Sequence, residues 1–141
     1  MMALSPDRAK VLLAEIESQL VSAMHAYLPL GGAPPCAVTV GSEGGQESIG
    51  LVPILDVRDR HLTLKRAVQA SGADGVVFVY DGFIQSADKV KVDAVLVVVA
   101  SRWGTEAYAT PYRRENGRVT VLRRLPAPEG VAEAYADLFA A

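Results

Sequence analysis

Asp56 and Asp81 are the two side chains in this sequence whose types and positions could do chemistry together. Each follows an apolar run rich in β-branched residues, Ser48–Leu55 and Val76–Tyr80, and a helix-length segment separates them. If the two runs are parallel strands, both carboxylates sit just past the strands' carboxyl ends, where open α/β sheets bind ligands. Two acids there could hold a divalent cation or share a proton. Both also have an ordinary structural use, Asp56 as a helix cap and Asp81-Gly82 as a turn. No third ligand at useful spacing accompanies them, so we expect neither a metal nor a cofactor.

The other chemistry-bearing residues are more isolated. His25 and His61 are the only histidines, and neither belongs to an HxH, HxxxH or HxxE pattern. His25 falls near a helix C-terminus, where an imidazole suits the dipole, and His61 on an inward helix stripe. Cys36 is the single cysteine, which excludes an internal disulfide and a multi-cysteine metal site. It follows Pro34-Pro35 without a cationic neighbour to activate it, and reads as a small buried apolar residue. Gly41–Gly45 lacks the Gly-Lys-Ser/Thr of a phosphate loop and carries Glu43, so it reads as a hairpin turn.

Two further features could recognise a partner. Arg113, Arg114, Arg118, Arg123 and Arg124 gather near Tyr108 and Tyr112, a composition that can bind single-stranded nucleic acid. The hairpin register set by Asn116-Gly117 argues against that use. It turns the tyrosines to the core face, divides the arginines between faces and leaves them as solvated charges guarding an edge. Trp103, beside Gly104 at a hairpin tip, is either a lid over the core or a contact anchor.

The elements that must position these residues are legible from periodicity. Ser5-Pro6-Asp7 is a helix start, and Ala9, Leu12, Leu13, Ile16, Leu20, Met24 and Tyr27 recur at helical spacing up to Pro29. Cys36–Val40 and Ser48–Leu55 form a hairpin whose second strand is largely buried, with Pro53 marking an edge or bulge. A second helix starts at Asp56 or Asp59, runs to about Ala70 and turns Val57, His61, Leu64 and Val68 inward. Val76–Tyr80 and Ala94–Ala100 are nearly unbroken apolar runs, as expected of central strands covered on both faces. Val92–Arg102, Glu106–Arg113 and Arg118–Arg124 then follow as an antiparallel meander, with a bulge or free edge at Pro111. Val131, Tyr135 and Leu138 mark a terminal helix.

These patterns predict one α/β (α+β) domain over residues 1–141. It has a single mixed sheet of about six strands, one βαβ crossover and then an antiparallel meander, packed by three helices. The 141 residues are half apolar, 21% charged and carry a formal charge of −2, which excludes a disordered chain and gives no general pull toward nucleic acid or anionic lipid. Mean hydropathy is +0.21, yet no apolar run approaches the roughly 18 residues of a membrane span. The N-terminal stretch reads as amphipathic helix rather than a signal peptide, and a cytoplasmic location is expected.

No motif assigns an activity. The expected function is a non-catalytic protein-interaction or self-associating module, a homodimer with sheet surface or Trp103 at the contact. The alternatives are a small enzyme or metal-dependent hydrolase using the Asp56/Asp81 end of the sheet and, after it, a weak single-stranded nucleic-acid binder through the arginine hairpin.

Overall fold

The Ser5 hydroxyl accepts the Arg8 amide at 3.2 Å, and Pro6 opens the first turn of α1 (Pro6–Tyr27). Both devices satisfy or remove helix-start donors that would otherwise lack partners. The computed structural model describes residues 4–85 and 87–140. Ala9, Leu12, Leu13, Ile16 and Met24 form the buried stripe of α1, while Tyr27 at its end faces solvent.

A tight turn at Gly44-Gly45 joins β1 (Cys36–Glu43) to β2 (Gln46–Val52). Both glycines sit at positive φ, 60° and 81°, as a two-residue type I′ turn requires. A 3-10 turn over Val57–Asp59 leads into α2 (Arg60–Ser71), and Gly72 ends it in the left-handed conformation. Leu64 and Val68 turn inward as the spacing predicts; the side chain of Val57 lies outside the described residues. The meander follows as β3 (Gly75–Gln85), β4 (Lys91–Ser101), β5 (Gly104–Glu115) and β6 (Arg118–Val121). The two-residue β7 (Leu125–Pro126) also pairs with β5, before the short α3 (Val131–Ala134).

The strand order is β2-β1-β3-β4-β5-β6, and every ladder is antiparallel. The fold is therefore α+β, and the mixed sheet with a βαβ crossover between neighbouring strands is corrected. β2 and β3 run in the same direction, but β1 lies between them and pairs with both. The tight turn commits one edge of β1 to β2 and leaves its other edge for β3, so α2 carries the chain past β1. The second strand of the hairpin is also corrected: β2 is an edge strand, with Ile49 and Leu51 exposed and only Val52 buried.

The central strands behave as their unbroken apolar runs predict. Val77, Val79, Val95 and Val97 pack against α1 on one face of the sheet. Val76, Phe78, Val98 and Ala100 pack against α2, Tyr135 and Leu138 on the other. Phe78 is fully buried, which contributes roughly 1.5–3 kcal/mol for such a side chain. The last hairpin adopts the expected register, with Glu115 opposite Arg118, Arg113 opposite Thr120 and Tyr112 opposite Val121. Pro111 lies where the outer partner of β5 changes from β7 to β6: its carbonyl accepts the Leu122 amide at 2.8 Å, but without an N–H it cannot return a bond, and the β5–β6 ladder stops at Tyr112.

Candidate functional site

The curled sheet sends its two sequence-predicted acids to different partners. Val52 and Phe78 both pair with Ala37, so the chain leaves β2 and continues along β3 toward the same end of the sheet. Asp56 then turns back on its own loop, where its carboxylate accepts the Arg58 amide at 2.9 Å and the Arg58 guanidinium at 3.0 Å. These bonds hold the Asp56 carboxyl below its usual range. The expected turn at Asp81-Gly82 is corrected: β3 continues in register with β4 to Gln85, and Asp81 lies within it, level with Val95, on the α1 side of the sheet. It accepts a hydrogen bond from the Tyr112 hydroxyl at 2.7 Å. Burial, with Asp81 beside it, pushes the Tyr112 phenol up to about 12. Arg114, stacked over the Tyr112 ring, donates to the Leu28 carbonyl and ties this end of the hairpin to the end of α1. The structure thus gives Asp56 a loop-capping partner and Asp81 a structural one.

The histidines and the cysteine also have quiet surroundings. The His61 Nε2 lies 2.7 Å from an Asp137 carboxylate oxygen, which holds that carboxyl low, and Lys65 approaches the same group. His25 is half-buried, its Nε2 is enclosed without a hydrogen-bond partner among the described residues, and burial pushes its pKa down. Burial pushes the Cys36 thiol up, away from the reactive thiolate. Among the described residues no group of three or more His, Cys, Asp or Glu side chains could hold a metal ion. Nor is any helix among them long and apolar enough to cross a membrane.

Trp103 occupies the β4–β5 tip as the sequence predicts and is 47% exposed. It borders a groove of about 480 Å³ between that tip and the first turns of α1. Leu13, Ala14 and Val99 supply its apolar lining, with Lys10, Glu17 and Glu106 among its charged groups. Glu17 pairs with Arg124, whose guanidinium lies 3.6 Å over the Tyr108 ring, and the Tyr108 hydroxyl bonds Glu106 at 2.8 Å. The arginines of the last hairpin are thus divided: Arg114 and Arg124 are engaged with the body of the fold, and Arg113 and Arg118 stand on the outer face.

One important residue carries no signal in the sequence. Asp74 is 1% exposed, and its carboxylate accepts the Leu4 amide at 3.1 Å and the Arg102 Nε at 2.6 Å. Its own amide donates to the Val40 carbonyl. It clamps the chain before α1, the end of β1 and the β4–β5 tip at one point, and therefore fixes the base from which Trp103 projects.

No family model, curated protein or solved structure matches this chain. Function is therefore argued from the surface itself. The feature that stands out there is the β2 edge, where Ile49 is 59% and Leu51 73% exposed on a strand with no neighbour beyond it among the described residues.

Proposed function

We propose that the protein is a non-catalytic, self-associating interaction module that works as a homodimer. The observation that carries this reading is the open apolar edge at β2. Proteins blunt exposed sheet edges with lysines, prolines, bulges or short strands, because free backbone groups invite another strand. β2 is seven residues long, has no lysine, proline or bulge within it, and bears Ile49 and Leu51 outward. Trp103 and its groove offer a second contact of the kind that aromatic anchors make. The competing enzyme reading draws no support from Asp56 and Asp81, since each carboxylate already has a partner suited to its local structure.

Light scattering on the full chain at micromolar concentration tests the proposal. A dimer that dissociates on dilution is the expected outcome. A single monomeric species at every concentration would overturn self-association and return the enzyme reading to equal standing. Trp103→Ala then reports whether the groove takes part: an unchanged dimer assigns the contact to the sheet edge.

A further inference from the structure

We infer that two copies pair β2 against β2 in antiparallel fashion about a two-fold axis at Ile49, forming one continuous sheet across the dimer. This rests on the self-association reading and specifies its geometry. Gln46–Val52 is seven residues long, and Ile49 is its midpoint. A two-fold through Ile49 therefore pairs the whole strand with itself, whereas a shift of the axis by one residue drops a pair from each end. In this register Ile49 meets its own copy, Ser48 meets Gly50, and Glu47 meets Leu51.

The charge pattern favours the same antiparallel sense. Glu47 is the only charged residue of β2, and it forms an ion pair with Arg8 of its own α1. Antiparallel pairing about Ile49 puts Glu47 opposite the partner's Leu51, so no like charges face each other. A parallel, in-register pairing would set Glu47 against the partner's Glu47, an unfavourable juxtaposition. Side chains alternate along a strand, so Glu47, Ile49 and Leu51 share one face. That face is the α1 side, because Ile49 and Leu51 pair with Val40 and Val38 of the α1 core. The axis stands perpendicular to the sheet, so both α1 helices lie on the same face. Ile49, Leu51 and their two copies then form an apolar cluster between the helices.

The register can be tested by charge. Leu51→Glu would set a carboxylate opposite the partner's Glu47, and we expect the dimer to weaken roughly a hundredfold, read by sedimentation equilibrium. Leu51→Lys, opposite the same Glu47, should weaken it less than about tenfold. In a Cys36→Ser background, a short bis-maleimide should couple Ile49→Cys subunits. It should leave Gln46→Cys subunits uncoupled, because six residues of strand, about 20 Å, separate the two positions. Circular dichroism confirms that each variant is folded. A dimer that responds alike to Leu51→Glu and Leu51→Lys, or that couples through Gln46→Cys, would overturn this pairing while leaving self-association intact. A monomeric unmutated chain would overturn self-association itself.

Discussion

The two outer strands of this sheet solve the same physical problem in opposite ways. β6, at one edge, is four residues long, and Arg118 lies on it across from Glu115. Arg113 shares its outer face, and Arg123 and Arg124 follow shortly after. Short length and exposed positive charge at Arg113 and Arg118 both discourage a foreign strand from adding. β2, at the other edge, is longer and turns Ile49 and Leu51 to solvent, and its single charge is held by Arg8. One chain that guards one edge and leaves the other open has a directional surface. A closed two-fold contact through β2 uses up the open edge and leaves the guarded edges outermost, which stops growth at two copies.

That contrast depends on a centre both edges share, so the largest effect is expected there. Val97 is 3% exposed, packs against α1 and pairs with both Val79 and Tyr108. Val97→Asp would bury an unpaired carboxylate at a cost of several kcal/mol, comparable with the whole stability of a domain of this size. We expect the variant to unfold or aggregate, losing both edges at once. A folded variant with an unchanged melting temperature would show that the two edges do not hang from one core.

A smaller change should loosen the guarded edge alone. Tyr112 donates to Asp81 and, with Arg114, fastens the β5–β6 hairpin to the end of α1. Tyr112→Phe removes a hydrogen bond to a half-buried carboxylate, and roughly 1–2 kcal/mol of stability should go with it. The alkaline limb carries the same signature. The native phenol titrates at about 12 against an ordinary value of 10, so the native state holds this proton more tightly than the unfolded chain. Its stabilisation is complete below pH 10 and falls away as pH rises toward 12. Melting curves across that window should decline more steeply for the unmutated protein than for Tyr112→Phe. Dimer affinity at neutral pH should be the same for both, since β2 lies at the far edge of the sheet. A variant that matched the unmutated slope would mean that Tyr112 does not hold this edge.

The sequence announces the guarded edge far better than the open one, for a physical reason. Asn116-Gly117 fixes a two-residue turn, and a turn fixes the register of both flanking strands; the pairing of Tyr112 with Val121 follows from counting. α1 and the central strands are equally plain, because their apolar spacing is a local property. The neighbours of β2 are not local. Ile49, Leu51 and Val52 look like core residues, and only the placement of β1 between β2 and β3 makes β2 an edge. The same insertion removes the parallel pair that Asp56 and Asp81 suggest. Asp74 is hidden more completely still. It sits in a sequence that reads as a simple turn, and its partners Leu4 and Arg102 come from opposite sides of it in the chain.

The smallest effect is expected from the guard itself. Arg118 is exposed on the outer face of β6, across from Glu115, and an exposed pair of this kind contributes little to stability. Arg118→Ala should shift unfolding free energy by no more than about 0.5 kcal/mol and leave the dimer constant unchanged within twofold. Its consequence should appear in a different process, the addition of one β6 edge to another. That process needs high concentration and low electrostatic repulsion, so salt should reveal it: screening shortens to about 3 Å at 1 M ionic strength. Sedimentation velocity in high salt should show the unmutated dimer persisting and the Arg118→Ala dimer beginning to form larger species. If the variant remained strictly dimeric there, β6 would be protected by its shortness alone. If Arg118→Ala instead dissociated the dimer at ordinary salt, the contact would lie at β6, and the roles of the two edges would be reversed.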